Sequence, residues 1–221
     1  MHQPNFLPWI GLFDKMANAD VFVLLDDVET PDGSSWANRT LIKTPDGDRF
    51  LTLPIHSSRG DTYRTARVAA ETRQLEKLWK TIHCNYARCP HFACYAPQIQ
   101  DWLVTCAGYS LAVVNVDFIY HVRYDLGIDT KLVLQSALGV TSHKNNLIID
   151  LCHALNCDTY LSGQGAKAYN DGSKLKDAGI ELVYQNFSAP SYDQPWGDFS
   201  AALSIIDALF NCGGETRSFF Q

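Results

Sequence analysis

Val21-Phe22-Val23-Leu24-Leu25-Asp26-Asp27 is the stretch on which the fold turns. Five consecutive apolar residues have the length of a buried strand, and a strand apolar on both faces belongs inside an α/β sheet. Two acids stand at its carboxyl end, the end at which such sheets hold ligands.

Toward the C-terminus the pattern alternates. Leu132-Val133-Leu134 reads as a strand, and Leu147, Ile148, Leu151, Cys152 and Leu155 form a helical stripe. Thr159-Tyr160-Leu161-Ser162-Gly163 is a strand that stops at glycine. Residues 171–178 read as a short helix capped by Gly179, and Glu181-Leu182-Val183-Tyr184-Gln185 as a further strand. Leu203, Ile206, Leu209 and Phe210 mark a last helix, closed by Gly213-Gly214. Strands and helices alternating through short connections predict parallel pairing with crossover helices. The expected fold class is α/β: a mostly parallel sheet with flanking helices, Rossmann-like and three-layered, plus an inserted β-hairpin and helical segment.

That insertion is expected at about 30–125, within a single domain spanning 1–221. Residues 30–35 and 56–65 read as loops. Trp36 to Lys43 and Arg49 to Ile55 flank Thr-Pro-Asp-Gly, a hairpin signal. Leu75, Leu78, Trp79, Ile82 and Tyr86 share one helical face, and Pro90 ends that helix. Helices are also predicted at about 96–107 and 109–125, the latter with Val114, Phe118, Val122 and Leu126 as its stripe.

Composition excludes several classes. The chain has 221 residues, 46% of them hydrophobic, with 18 Lys+Arg against 24 Asp+Glu and a net charge of −6. That is too apolar for disorder and too acidic for a protein that binds DNA by neutralising phosphates. No run approaches the ~20 apolar residues of a membrane span. The start, Met1-His2-Gln3-Pro4-Asn5-Phe6, lacks the basic and apolar regions of a signal peptide, so a cytoplasmic protein is expected. Seven cysteines (84, 89, 94, 106, 152, 157 and 212) in a reducing compartment read as free thiols. Their Cys-x4-Cys-x4-Cys run at 84–94 lacks the doubled pairs of a zinc site, and no metal site is expected. No nucleophile elbow supports covalent cysteine catalysis, and Ser162-Gly163-Gln164-Gly165 does not match one. Gly163-Gln164-Gly165 followed by Ala168 resembles only the looser dinucleotide fingerprint. It reads equally as a tight turn or as a turn whose backbone N–H groups hold an anion.

Polar chemistry concentrates elsewhere. His2, Gln3 and Asn5 sit among prolines and aromatics in His2-Gln3-Pro4-Asn5-Phe6-Leu7-Pro8-Trp9-Ile10-Gly11, with Lys15 close behind. Asp26 and Asp27 could orient a base or bind a cation. Arg39, beside Asn38, offers a bidentate donor or a plain surface charge. Tyr169, Tyr184, Gln185, Tyr192, Gln194 and Trp196 suit a polyhydroxylated ligand as well as a semi-polar core.

These residues carry a resemblance. The His2–Gly11 motif, Ala19-Asp20-Val21-Phe22-Val23 with Asp26-Asp27-Val28, and Trp36-Ala37-Asn38-Arg39 are similar to the opening of the WbqC-like proteins. Leu51-Thr52-Leu53-Pro54-Ile55, Tyr160-Leu161-Ser162-Gly163, Tyr184-Gln185 and residues 203–211 extend the likeness over essentially the whole chain. The chain departs from the family pattern in two places. Family members usually have a short strand before His-Gln-Pro, where Met1 stands here, so one sheet position is expected to be empty. Glu29 stands where glutamine is common.

The resemblance implies a bacterial transferase of surface-polysaccharide or small-molecule biosynthesis. It would acylate or aminoacylate an amine such as an amino sugar. His2 is then the expected base, with Asp26 or Asp27 orienting it or capturing the acceptor. Gln3, Asn5, Trp9, Lys15, Asn38, Arg39, Ser162, Gly163, Tyr169, Tyr184 and Gln185 are the expected binding residues. No cofactor is expected beyond an activated acyl donor: a carrier-protein thioester, CoA or aminoacyl-tRNA. The expected partners are a small-molecule amine or nucleotide-sugar acceptor and an acyl or peptidyl carrier protein, with no DNA and no membrane insertion. An exposed sheet edge makes a homodimer a further expectation. Nucleotidyl transfer is the enzymatic rival, though the His-x-Gly-His pattern is lacking. A non-catalytic carrier- or sugar-binding protein, docking through Arg59, Arg64 and Arg67, is the other alternative.

Overall fold

In the computed structural model, Val21–Leu24 forms strand β1 and pairs in parallel with β6, Lys131–Leu134, in the register Val21 to Lys131. The model describes every residue except Asp32, Ser34, Ala70 and Gln221, so part of the loop expected at 30–35 lies outside the described residues. Alternation along β1 sorts its side chains to two cores. Phe22 and Leu24 join the main core, while Val23 packs with Leu147 and Leu151 on the other side. β1 is therefore covered on both faces, as its unbroken apolar run requires.

A second parallel pair joins β7, Thr159–Ser162, to β8, Glu181–Tyr184. Helix α5, Lys144–Ala154, lies between the pairs in sequence and packs against both. Leu147 and Leu151 meet Val23, and Cys152 meets Tyr160, Leu175 and Ile180. Helix α6, Gly172–Asp177, leads into β8; the Asp171 carboxylate caps it by accepting the Lys174 N–H.

The α/β class holds, but one continuous, mostly parallel sheet does not form. β1–β6 and β7–β8 are separate two-stranded sheets. His2 touches the first as a one-residue parallel bridge: its N–H donates to Val23 C=O, and Leu25 N–H donates to its carbonyl. Between β1 and β7 runs a cleft of about 390 Å³, lined by Val21–Val23, Asp158–Leu161 and Met1. The two pairs stand on either side of that cleft and share no strand.

Helix α1, Ile10–Ala17, was not among the elements the sequence pattern predicted. Two prolines hide its start, yet it buries Ile10, Leu12, Phe13 and Met16. The hairpin is confirmed as β2, Arg39–Thr44, and β3, Gly47–Thr52. Part of the expected 56–65 loop is ordered into pairing: β4, Ile55–His56, meets β5, Arg67–Val68.

Three long helices follow. Helix α2, Thr72–Tyr86, starts at a capping box of Glu71 and Gln74 and buries Leu75, Trp79, Ile82 and Tyr86, the predicted stripe. Helix α3, Phe92–Thr105, begins four residues before the expected start, because Phe92 is anchored on Trp79 and Phe210, with ring centroids 5.9 and 4.9 Å away. Helix α4, Leu111–Asp125, is capped by Ser110. Helix α7, Ile205–Cys212, closes the main core.

Candidate functional site

The His-Gln-Pro segment is held from three directions. Asn115 of α4, fully buried, donates to the Pro4 carbonyl at 2.7 Å and to the Ala37 carbonyl at 2.8 Å. The Leu7 carbonyl accepts from the hydroxyls of Thr40 and Ser204, each at 2.8 Å. Leu7 itself has φ +42°, a left-handed conformation that a leucine adopts only when its surroundings impose it. The loop is thus a fixed platform.

His2 follows Met1 on that platform. Its Nδ1–H donates to the Gln3 carbonyl at 2.8 Å, leaving Nε2 as an acceptor. Burial, and then the Lys15 ammonium, hold the His2 pKa down to about 3. The imidazole is neutral at pH 7 and far from the near-neutral pKa that suits a general base. No hydrogen bond joins it to Asp26 or Asp27 among the described residues. Lys15 is buried and donates to the Met1 carbonyl at 2.7 Å; burial lowers its pKa to about 8.

The two acids diverge. Asp26 is buried and accepts from the Ser136 N–H at 2.9 Å and the Ser136 hydroxyl at 2.6 Å, which ties the ends of β1 and β6 together. Asp27 turns outward to Arg64 at 3.5 Å and Thr62 at 3.4 Å.

A second polar group forms where β7 and β8 end. The Asn170 carboxamide donates to the Ser162 hydroxyl at 2.9 Å and to the Tyr184 phenol oxygen at 3.3 Å. Lys167 lies 5.1 Å from the Tyr184 ring centre. Gly163 opens the short turn 164–166, and Gln164 donates to the Gln185 carbonyl at 2.5 Å. The Gln185 carboxamide donates to the Gly11 carbonyl at 2.8 Å and to the Asp14 carboxylate at 2.6 Å. β8 is thereby clamped to α1, and this cluster to the N-terminal loop.

Other expected binding residues lie elsewhere. Asn38 is buried in its turn, accepting the Ser35 N–H and donating to the Leu53 carbonyl. Arg39 rests over the Phe50 ring at 4.2 Å on the hairpin. Tyr169 is 80% exposed and bonds through its backbone: its N–H donates to the Ala166 carbonyl and its carbonyl accepts from Asn145. Trp9 packs edge-on against Phe187, with centroids 6.0 Å apart. Gln3 and the buried Asn5 lie on the platform between His2 and Leu7. Asn170 and Lys167 were missed by the sequence reading. Their only signal was spacing, one helical turn or two beyond the Ser162-Gly163 strand end.

The model of the WbqC-like protein family matches residues 3–219. The chain belongs to the WbqC-like protein family. A relative from Mycobacterium tuberculosis, "Uncharacterized protein Rv1507c", is 29% identical over 226 residues, covering 99% of this chain and 95% of the relative. No solved structure matches. In this WbqC-like protein no helix among the described residues is long and apolar enough to cross a membrane. Burial pushes the thiols of Cys89, Cys106, Cys152 and Cys212 up to about 11, so they are protonated at neutral pH and poor nucleophiles.

Proposed function

We propose that this WbqC-like protein is a transferase that forms an amide, moving an acyl or aminoacyl group from an activated donor to an amine on an amino sugar or similar polar acceptor. The observation that carries this reading is the Ser162–Asn170–Tyr184 cluster, with Lys167 beside it, at the carboxyl ends of a parallel pair. A hydroxyl, a carboxamide and a phenol match vicinal hydroxyls, and an ammonium matches a sugar-linked phosphate. Gln185, at the end of β8, donates to the Gly11 carbonyl and the Asp14 carboxylate of α1, the helix that follows the loop bearing His2.

The residues divide the work accordingly. His2, held neutral, presents Nε2 as an acceptor that orients the attacking amine, and its depressed pKa suits positioning better than strong base catalysis. Asp27, partly exposed at the end of β1, faces the acceptor's ammonium before it loses its proton. Asp26 holds the strand ends in place through Ser136. The acyl carbon is attacked by the amine nitrogen; the donor's thiol or hydroxyl leaves with the proton that the amine gives up. The reading places the protein in the cytoplasm, with a carrier protein, CoA or aminoacyl-tRNA as donor.

The test is to incubate the purified protein with amino-sugar nucleotides and acyl-CoA or carrier thioesters, and to look by mass spectrometry for an acceptor heavier by the acyl group. Product formed by the native chain and lost in Tyr184→Phe/Asn170→Ala supports the reading. Pyrophosphate release from a nucleoside triphosphate, with no acylated product, would replace it with nucleotidyl transfer.

A further inference from the structure

Helix α5 ends in a turn that brings two cysteines together. Leu155 caps the helix, and Asn156 follows at φ +54°, the left-handed conformation in which helices commonly stop. Asparagine visits this region more readily than most residues because its short polar side chain bonds locally. The chain then folds back. Asn156 N–H donates to the His153 carbonyl at 3.1 Å, and Cys157 N–H donates to the Cys152 carbonyl at 2.8 Å. These are the inner and outer bonds of a motif that closes many helices, in which the side chains at the two ends meet. Here both end residues are cysteines.

The outer bond limits their separation. With that N···O distance and standard covalent geometry, the Cα atoms of Cys152 and Cys157 stand no more than about 6.7 Å apart. Disulfides span Cα distances of about 4.4–6.8 Å. Both side chains belong to one small core shared by α5, α6 and β7. Cys152 packs there with Tyr160, Leu175 and Ile180, and Cys157 lies against that cluster. Both are free thiols, and the Cys157 Sγ–H makes only a weak bond, to the Leu155 carbonyl at 3.7 Å. Rotation about one side-chain bond releases it. Cys152 is 1% exposed, whereas Cys157 is half-buried and is the thiol that a reagent meets first.

We propose that Cys152 and Cys157 form a reversible disulfide, with a low-molecular-weight disulfide as the oxidant. Cys157 loses its proton and attacks one sulfur of the reagent; the reagent's S–S bond breaks, and its other half leaves as a thiolate that takes up a proton. Cys152 then loses its proton and attacks Sγ of Cys157; the mixed disulfide breaks, and the second half of the reagent leaves in the same way. Two protein thiols are oxidised, and one reagent disulfide is reduced to two thiols. Burial holds the Cys152 thiol up to about 11, so its attack is the slower step. The cross-link staples the last turn of α5 to the segment that enters β7. The site is separate from the strand-end cluster and independent of the transferase reading.

The chain itself supplies a clean assay. No Lys or Arg stands between Lys144 and Lys167, so trypsin releases Cys152 and Cys157, and no other cysteine, in the single peptide 145–167. The full-length protein is equilibrated with glutathione and glutathione disulfide at graded ratios, quenched with acid, unfolded, alkylated, digested and weighed by mass spectrometry. As the disulfide share rises, peptide 145–167 should pass from a doubly alkylated form to an unalkylated one, two hydrogens lighter than the dithiol, and dithiothreitol should reverse the change. In Cys152→Ala, shown folded by circular dichroism, Cys157 should instead be recovered with one glutathione attached, the arrested first step. The folded chain should favour the cross-link at least about tenfold over the same chain in urea, because the fold already holds the two thiols together. The proposal is overturned if peptide 145–167 stays a dithiol at every ratio, if it ends with a glutathione on each cysteine, if Cys157 stays unmodified in Cys152→Ala, or if folded and urea-unfolded chains cross-link equally.

Discussion

The indole of Trp9 lies across Gly11: a β-carbon built on Gly11 would stand 2.2 Å from Cη2 of the ring. Glycine is needed here because the first turn of α1 passes directly beneath an aromatic ring. The contact fixes Trp9, whose backbone pairs with Ser204 and whose ring meets Phe187. Gly11→Ala should displace the ring and cost ~1–3 kcal/mol, as overpacking does. In a chain of this size that is a fall in melting temperature of about 2–4 °C per kcal/mol. Calorimetry checks it, and an unchanged melting temperature would show that the ring moves freely.

The strand ends depend on Asp26. Its carboxylate takes both the N–H and the hydroxyl of Ser136 while nearly excluded from water. Asp26→Ala leaves two donors without their acceptor and should cost ~1–3 kcal/mol for each that stays buried. Asp26→Asn keeps one acceptor oxygen and should lose less. Urea unfolding midpoints separate the two. Equal losses would mean that the Ser136 contacts contribute little.

A second buried carboxylate organises the far side of the core. Asp207 accepts from the phenols of Tyr86 and Tyr192 at 2.9 and 2.8 Å, while Tyr86 accepts the Lys43 N–H at 2.8 Å. Burial raises the pKa of Asp207. Tyr86→Phe removes the acceptor of a buried backbone N–H and a donor to a buried carboxylate together, so a loss of ~2–3 kcal/mol is expected. Tyr192→Phe, which takes away one donor only, should cost less. Chemical denaturation of both variants checks the order.

Much of this was legible in the chain. The apolar run at 21–25, the strand ending at Gly163 and the hairpin at Thr-Pro-Asp-Gly each appear where local pattern placed them, because burial on known faces leaves a periodic record. Helix α1 was not, because its stripe is short and follows two prolines. Separation of the parallel pairs depends on space between β1 and β7, a property of no single segment. In the candidate site, Ser162, Tyr184 and Gln185 were visible as strand ends. Asn170 was not, since its role rests on the fold of a turn. Asn38 and Arg39 were visible as polar residues; in the fold one satisfies its own turn and the other lies over Phe50.

The state of His2 gives the protein a pH signature. In the fold its pKa is about 3, against 6.5 when unfolded, chiefly through burial. Between those values the unfolded chain binds a proton that the folded chain refuses, so stability rises with pH across the window. Its full contribution is present above pH 6.5 and is lost as pH falls toward 3. Through His2, native protein should therefore lose stability as pH falls below 6.5. His2→Gln keeps a donor for the Gln3 carbonyl but cannot take up a proton. Its stability should track the native protein's at pH 7–8 and fall less below 6.5, by up to one bound proton's slope. Urea unfolding midpoints at pH 5 and 7.5 measure this directly. Parallel curves for the two proteins would mean that His2 is solvated in the fold, and its assignment as a neutral acceptor in the transferase would fall with that result.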